Sequence, residues 1–567
     1  MDTIKRSQIE EGDVCFLLDI SYYGAIYRFS TVPIDISDLS ENTVIPYRGA
    51  LSDPPVNLQS DLLGVDLEAN TISMELIFES VDWVSEFLKG RTLNDALCDL
   101  SMVIIKEGKI SFTQQDKIGI FKGRVLDAIF GDPDAPKGTV SFTIENSVNI
   151  RVVKLLGEQH VIIEDNYSIG IITQSKGKVV PFVFGTLGIS PREEAGSISF
   201  DTDLHVAPAY QAGGTPTLLT QYFQVAYHEV ERPTTGSNIQ IFDGKGGSFT
   251  NPVEIEIDSK GFVHSYVPFY ITGVGSPEGT NLQFDNFQVS SPELSFSYYA
   301  SWGQSAGGIP SIDGTGPIEG AVDLSLYVLE RSELFFDFSS WKGLSPILNR
   351  YKFGGYVNDI EVNALEWIQS NIWDLLPIMV INGGNGIQAA LNLYTYSQEI
   401  IPSHHLIESG ELEIISPLTP LEGEIINKIT IRFSYAGQSD AFRSKVVIDP
   451  LLKEDEPLKY RDPLAYISYT RYGLREKVIE APFVYDLQTA IRIARDKIRA
   501  HALGNYAIEI SAAPKYGYLD LGDIVSISSD KVGFSNHKCQ IVAKSWSNNR
   551  WRYVLHIEDN PLVTIRE

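Results

Sequence analysis

The chain has 567 residues, 43% of them hydrophobic and 21% charged, so it can form several packed domains and is not disordered as a whole. Its 45 basic and 73 acidic residues give a net charge of -28, which argues against a dedicated nucleic-acid binder, because DNA binding needs cations that displace counterions. The three cysteines, Cys15, Cys98 and Cys539, are far apart and form no CxxC motif, which argues against a disulfide framework and a thiolate zinc site.

Residues 14–175 are predicted to form short strands around one short helix. The stretch VCFLLDISYYGAIYRFSTVPIDI (14–36) predicts a strand, a Tyr-Tyr-Gly turn and a second strand, and TISMELIF (71–78) predicts another strand. Helical spacing of apolar residues predicts the helix. The residues with this spacing are Trp83, Val84, Phe87 and Leu88. Turns about every ten residues are typical of a barrel or sandwich.

The composition changes in the middle of the chain. Residues 176–320 are rich in Gly, Ser, Thr and Pro, which predicts a second β-rich region with long loops. From 321 onward helices are expected, although AVDLSLYVLERS (321–332) fits a strand or a helix. An amphipathic helix is predicted within 362–383, before the chain returns to strands. Its apolar stripe is Leu365, Ile368, Ile372, Leu375 and Leu376.

The C-terminal module begins near residue 462. The stretch 465–486 predicts a strand, a Tyr-Gly turn and a second strand, and Asp486 is the expected N-cap of a helix. Gly504 is its expected C-terminal stop, and YLDLGDIVSIS (518–528) predicts two strands around a Gly-Asp turn. The helix stripe is Leu487, Ile491, Ala494 and Ile498. Positive charges near the C-terminal end of a helix interact favourably with its dipole, and the residues expected there are Lys497, Arg499 and His501.

Together these patterns predict a mainly β protein with α+β parts. We expect several barrel-like β domains, each with an embedded helix, and a small helical middle domain. The expected division is a β-barrel-like domain at 1–175, a Gly-rich β region at 176–320, a helical linker domain at 321–395 and a C-terminal barrel domain at 396–567.

No motif predicts a catalytic, cofactor-binding or metal-binding residue. The segment FDGKGGSFT (242–250) resembles an anion loop or a calcium turn, but Lys245 opens no helix and Asp243 stands alone, so a hairpin turn is favoured. His404 and His405 are adjacent, and neighbouring residues of a strand point to opposite faces, so this pair is not expected to bind one metal ion. The pair at 228–229 lacks the second histidine of a zincin motif.

Two weaker patterns leave enzymatic or sugar-binding roles open. Trp373 and Asp374 place an acid beside an aromatic residue, but in a stretch that predicts a helix, where Asp374 is expected to be solvated. The sequence leaves open a glycosidase-type carboxylate pair, because separation in space defines such a pair. The aromatic clusters at 335–338 and 295–302 could form a sugar platform, although core or interface roles are more common for such residues.

The C-terminal module resembles the barrel domain of tail hub proteins of long-tailed bacteriophages and gene transfer agents. The likeness lies in Gly473-Leu474-Arg475, in the Ala-rich helix at 490–498 and in the Leu-Gly-Asp-Ile-Val run at 521–525. EWIQSNIWDLLP with GGNGIQ is similar to the small domain between the two hub barrels, and KVVPFVFGTLG is similar to a segment of related tail-tip proteins.

This resemblance implies a structural virion protein at the tail tip, made in the host cytoplasm. It implies a homotrimer that gives two barrels per chain, bound to a tail tube or distal tail protein and to a tail fibre or spike protein. DNA would pass through an acidic interior without specific binding, and no cofactor is implied. No run of about 18 apolar residues occurs, so we expect no stable membrane insertion.

The long middle region departs from the hub pattern and keeps two alternatives open. Residues 176–320 could carry a cell-wall hydrolase insert, which would need a cleft with two facing carboxylates. They could instead make the chain a receptor- or glycan-binding tail adhesin.

Overall fold

The computed structural model of the chain describes residues 14–145, 318–393 and 401–558 apart from short gaps, together with separate short segments between 154 and 301. The fold is mainly β, with sheets curled into half-barrels and a few helices, which confirms the predicted fold class. Within the described residues, no helix is long and apolar enough to cross a membrane.

The first region forms ten strands and one helix. In chain order they are β1 (Val14–Tyr22), β2 (Ala25–Ser30), β3 (Ile34–Asp38), β4 (Thr43–Gly49), β5 (Asn57–Gln59), β6 (Thr71–Phe78), α1 (Val81–Leu88), β7 (Leu97–Ile104), β8 (Phe112–Thr113), β9 (Ile118–Phe130) and β10 (Gly138–Glu145). The predicted turn between β1 and β2 has positive φ at both Tyr23 and Gly24, as a tight hairpin requires.

Short strands follow between residues 182 and 301. They are β11 (Phe182–Phe184), β12 (Ser190–Glu194), β13 (Ser197–Asp201), β14 (Ala207–Gly213), β15 (Gln221–Gln224), β16 (Gln240–Asp243), β17 (Ser248–Thr250), β18 (Ile255–Ile257), β19 (Phe262–Ser265), β20 (Tyr270–Thr272) and β21 (Tyr298–Ser301). Eight of them, β14 to β21, form one sheet, in agreement with the predicted β-rich region.

The next region combines helices with a β-hairpin. Its elements are α2 (Ala321–Arg331), α3 (Phe338–Leu348), β22 (Gly355–Val357), α4 (Ala364–Asn371), β23 (Ile378–Gly383) and β24 (Gly386–Leu391). The stretch that fitted either a strand or a helix is therefore the helix α2.

The last region contains eleven strands and two helices. They are β25 (His404–Ile407), β26 (Leu412–Ile414), β27 (Thr419–Pro420), β28 (Lys428–Ala436), β29 (Ala441–Ile448), β30 (Lys459–Tyr460), α5 (Pro463–Tyr472), β31 (Glu476–Glu480), α6 (Leu487–His501), β32 (Asn505–Ala512), β33 (Ile524–Ser529), β34 (Phe534–Ser547) and β35 (Arg550–Glu558).

Three sheets organise these regions. The N-terminal sheet has the order β6-β10-β9-β7-β1-β2-β4-β3-β8. The C-terminal sheet has the order β25-β33-β34-β35-β32-β26, and β27 and β5 pair with it as well. The small sheet has the order β30-β29-β28-β31, and α6 packs against its strands β28 and β29.

Two large hydrophobic cores are formed by residues within 14–184 and 318–557. The helical core combines α2, α3 and α4 with β11, the small sheet and α6. The sheet core combines the N-terminal and C-terminal sheets, so residues from the two ends of the chain share one interior. The predicted domain boundaries at 175, 320 and 395 stay a prediction.

The hairpin formed by β23 and β24 is part of both cores. Ile378 and Val380 face the helical core, whereas the alternate residues Met379 and Ile381 face the sheet core. All four side chains are at most 2% exposed. A strand buried on both faces needs an uninterrupted apolar run, which the sequence PIMVI at 377–381 supplies.

Several local predictions are wrong in instructive ways. The apolar run before Gly383 is the strand β23, because Pro377 ends the preceding helical turn. The first predicted strand of 465–486 is the helix α5, which Asp462 caps by accepting hydrogen bonds from Leu464 N and Ala465 N. The strand predicted before the Gly-Asp turn is absent: the 3-10 helix Pro514–Tyr518 is followed by irregular residues up to the turn.

The prediction for α6 is confirmed at its start and wrong at its end. Asp486 accepts a hydrogen bond from Thr489 N as the N-cap. Ala502 is the C-cap, so Leu503 and not Gly504 is the first residue after the cap. Burial lowers the pKa of His501 to about 4, so His501 is neutral at pH 7 and adds no positive charge to this helix end.

Removing volume from the shared hairpin should destabilise the protein strongly. Ile381→Ala leaves a cavity in the sheet core, and the expected loss is about 2–5 kcal/mol in the free energy of unfolding, measured by urea denaturation. Ile26→Ala on β2 is the matched control, because this side chain is 53% exposed, and its expected effect is below about 0.5 kcal/mol. Equal losses for the two variants would contradict the burial of β23 on both faces.

Candidate functional site

The strand β5 of the N-terminal region joins the C-terminal sheet through a short antiparallel pairing with β34, which we call the sheet junction. In β5, Asn57, Leu58 and Gln59 pair with Ser545, Lys544 and Ala543 of β34. One step further, Trp546 N donates a hydrogen bond to Val56 O at 2.9 Å. This pairing fixes the register of β5 on the C-terminal sheet, because a slip by one residue would expose the fully buried Leu58.

An aromatic cluster fills the sheet junction. Phe16 of β1 packs edge-on against Trp546, with ring centroids 5.7 Å apart, and Trp546 lies 4.8 Å from Trp551 of β35. Phe16 and Trp551 are fully buried, and Trp546 is 8% exposed. Edge-to-face pairs contribute about 0.5–1.5 kcal/mol beyond the area they bury, so this cluster binds the two sheets to each other.

The 3-10 helix Pro514–Tyr518 lies against this cluster. A Cβ atom at Gly517 would overlap the terminal methyl group of Met102 of β7 and lie 2.7 Å from Trp551 Nε1, so a larger residue here would displace side chains between the two sheets. Lys544 Nζ donates a hydrogen bond to Gly517 O at 3.0 Å and lies 4.9 Å from the centre of the Trp551 ring. Asp520 Oδ1 lies 3.7 Å from the same Nζ atom.

Lys544 is an unusual residue for a sheet interior. Its side chain is 1% exposed, and burial lowers the pKa of its amine. The carbonyl, the indole ring and the nearby carboxylate compensate part of the lost hydration. Lys544 therefore fixes the 3-10 helix to β34. Sequence patterns did not predict this role, since the only local sign is a lysine within an apolar strand.

The β23–β24 hairpin docks on the C-terminal sheet at Gly522. This residue has φ +83°, and a Cβ atom there would lie 2.5 Å from Ile381 Cδ1 and 2.7 Å from Ala390 Cβ. The predicted turn at Gly522-Asp523 is confirmed by the φ value and by Asp520 N, which donates to Asp523 Oδ2 at 2.8 Å. The sequence did not reveal the second reason for glycine, which is the close approach of the hairpin.

Gln540 completes this docking contact. Its side chain is fully buried, and its Nε2 donates to Leu391 O at 2.9 Å and to Gly522 O at 3.1 Å. Its Oε1 accepts a hydrogen bond from Leu393 N at 3.0 Å. One amide thus satisfies backbone groups on the hairpin and on the turn, and an apolar residue in its place would leave them buried without partners.

A row of charges crosses the N-terminal sheet. Arg28, Asp19, Asp99 and Lys122 are successive cross-strand neighbours on β2, β1, β7 and β9. Lys117 Nζ lies 3.1 Å from Asp19 Oδ2, and Lys122 Nζ lies 3.3 Å from Asp99 Oδ2. Partial burial raises the pKa of Asp99. The two central carboxylates are therefore balanced by flanking cations, and this row adds little net charge.

The histidine pair is on the edge strand β25, and each ring has its own contact. His404 lies 5.0 Å from the Tyr518 ring, whereas His405 Nδ1 lies 2.7 Å from Ser526 Oγ. Both side chains are exposed. Among the described residues, no group of three or more His, Cys, Asp or Glu side chains could hold a metal ion.

The acid beside Trp373 is solvated, as predicted. Trp373 is fully buried, and its Nε1 donates to Ser325 Oγ at 2.8 Å, whereas Asp374 is exposed. In the first aromatic cluster, Phe336 packs on the helical core and Phe338 is 46% exposed at the start of α3. The structure does not bring these residues together into one site.

The remaining candidates are in the middle region. Strands β16 and β17 pair antiparallel through Phe242 and Ser248, which agrees with the predicted hairpin at 242–250. The histidine and glutamate at 228–229 and residues 295–297 and 302 of the second aromatic cluster lie outside the described residues.

No protein-family model matches the chain, and no curated protein matches it. Among solved structures, the chain is similar to the tail protein from Neisseria meningitidis MC58, at 8% identity and a TM-score of 0.37, over 96% of this chain and 97% of that chain. It is also similar to the 43 kDa tail protein of prophage MuSo2 from Shewanella oneidensis, at 8% identity and a TM-score of 0.34, over 96% and 98%. At such low TM-scores the likeness carries no argument about what this chain does.

Gly522→Ala should destabilise the docked hairpin more than the same change at Gly533. Both glycines have positive φ, so both variants lose about 1 kcal/mol from backbone strain. Only Gly522 faces a neighbour, because nothing lies within 4 Å of a Cβ at Gly533. An additional loss of about 1–3 kcal/mol in the free energy of unfolding is expected for Gly522→Ala by urea denaturation. Indistinguishable losses would show that the hairpin is not held against this turn.

The free energy of unfolding should decrease as the pH is lowered, because His556 is buried. This residue is the cross-strand partner of Gln540 on β35. Burial lowers the pKa of His556 from 6.5 to about 3, so the unfolded chain binds the proton first. Its contribution is fully present above the unfolded value and is lost as pH falls toward the folded value, at about 1.4 kcal/mol per pH unit. Denaturation at pH 6.5 and pH 5 should show a smaller loss for His556→Leu than for the unmodified chain. The control His404→Leu removes an exposed histidine and should keep the original loss, and an unchanged loss in His556→Leu would refute the assignment.

Proposed function

We propose that the chain is a structural virion protein: a trimeric tail-tip or baseplate hub. In this proposal it joins the tail tube or distal tail protein to fibre or spike proteins and forms part of the DNA exit channel. The observation that carries the proposal is that curled sheets from the N-terminal and C-terminal regions share one core, and that β5 of the N-terminal region pairs with the C-terminal sheet at the sheet junction.

The sheet junction supports a hub because it makes each chain a rigid pair of similar building blocks. Three copies around an axis would then present six curled sheets, a number that continues the six-fold tail tube implied by the sequence resemblance. A flexible linker between the sheets would not fix this spacing. Phe16, Trp546 and Trp551 instead pack the two sheets into a single body.

Exposed apolar residues supply candidate contacts between subunits. On the last part of β9, Leu126 is 41% exposed, Ile129 68% and Phe130 44%. On or beside the edge strand β25, Ile401 is 84% and Ile407 is 61% exposed. Each sheet of the pair thus presents an apolar stretch, and ring closure needs two different surfaces of this kind on every subunit.

The acidic composition supports the channel role. With a net charge of -28, the chain offers few sites at which DNA counterions would be displaced. The balanced row of Arg28, Asp19, Asp99 and Lys122 adds no basic patch to the N-terminal sheet. DNA then passes without specific binding, and a strongly basic channel wall would defeat this part of the proposal.

The assembly state tests the proposal. Light scattering on the purified chain should give the mass of three chains, and negative-stain images of the same sample should show a central opening. Ile129→Lys should lower the trimer fraction, because it places a charge in the apolar stretch of β9. Leu451→Lys is the matched control, because Leu451 is 53% exposed in a turn next to the small sheet. A monomer at every concentration, or a closed particle without an opening, would contradict the hub.

A further inference from the structure

A cleft opens at one end of the small sheet, away from the sheet junction. Its volume is about 630 Å³, and its lining is formed by Arg432, Tyr435, Ala441, Phe442, Glu480 and Pro482. These residues belong to β28, β29, β31 and the segment directly after β31. A volume in this range is typical of sites for small ligands.

The walls of this cleft are held by backbone contacts. Ser434, directly before Tyr435, has φ +57° and is fully buried, which is a strained conformation for a residue other than glycine. Its N–H donates to Val484 O at 2.8 Å, and Ala481 N donates to Arg432 O at 2.8 Å. Two hydrogen bonds therefore tie β28 to the segment after β31, and the cleft needs little ordering before a ligand binds.

One wall is aromatic. Tyr435 and Phe442 are cross-strand partners on β28 and β29, with ring centroids 5.2 Å apart and an angle of 55° between the ring planes. Neither side chain belongs to the helical core that lies under the small sheet. An aromatic face beside solvent offers a flat apolar surface on which the C–H groups of a sugar ring can pack.

The other wall is polar and nearly neutral. Arg432 Nη1 lies 3.1 Å from Glu480 Oε1, and the two side chains are 50% and 57% exposed. The pair leaves further guanidinium N–H groups and carboxylate lone pairs for a ligand. Because the charges compensate each other, an anionic ligand would have to break the pair, whereas neutral hydroxyl groups can donate to Glu480 and accept from Arg432 together.

We propose that this cleft binds a short neutral oligosaccharide. The sugar rings stack on Tyr435 and Phe442, and their hydroxyl groups bridge Arg432 and Glu480. All the described lining residues belong to one chain, so the proposal does not rest on the proposed hub assembly. The cleft is also separate from residues 176–320, for which the sequence left a glycan-binding alternative open.

Calorimetric titration of the full chain with cellotriose, maltotriose and tri-N-acetylchitotriose, each at millimolar concentration, tests the proposal. At least one of the three should bind. Tyr435→Ala should weaken that binding about tenfold or more, because it removes the stacking surface. Glu480→Gln should weaken the binding too. Because Glu480 is exposed, this variant should keep the fold intact, so it tests the proposal even if Tyr435→Ala is unstable.

Tyr466→Ala is the matched control, because Tyr466 is 55% exposed on α5 and does not line the cleft. It should bind the sugar like the unmodified chain. Absence of binding by all three sugars would overturn the proposal, as would unchanged affinity in both cleft variants. Binding of an oligoproline peptide in place of the sugars would assign the cleft to a peptide and would overturn it as well.

Discussion

The double burial of β23 is the constraint on which the rest of the structure depends. Ile378 and Val380 enter the helical core, and Met379 and Ile381 enter the sheet core, so one strand forms the wall between two interiors. Neither core can rearrange without moving the other, because strand geometry places successive side chains on opposite faces. Gly522 and Gln540 then fix the hairpin to the C-terminal sheet through close packing and hydrogen bonds.

This arrangement fixes the two large sheets and the helices relative to one another. The sheet junction joins the two ends of the chain, and the hairpin joins that pair of sheets to the helices. Buried polar groups at both contacts, such as Lys544 and Gln540, make the geometry specific, since each is satisfied only in the docked arrangement. A protein that keeps two curled sheets at a fixed spacing is suited to building a larger symmetric assembly, which is the role proposed for it.

Local signals predicted much of the fold. Alternation predicted β1, β2 and β6, and the cap at Asp486 predicted the start of α6, because these patterns depend on neighbouring residues alone. The helix α5 carried the same kind of signal in Asp462-Pro463, an N-cap followed by proline, but its aromatic residues favoured a strand. The strand β23 could not be told from a buried helix, because a continuous apolar run has no periodicity to read. The sequence could not predict the contact sites, since the roles of Gly522, Lys544 and Gln540 depend on residues distant in sequence.

Native-state hydrogen exchange tests most directly whether β23 couples the two cores. The coupled arrangement predicts that amides of β23 open with the same free energy as the most protected amides of α6 in the helical core and of β35 in the sheet core. The three groups should also shift together when urea is added. Two distinct opening free energies, with β23 following only one of the two cores, would show that the cores unfold independently and would contradict the account.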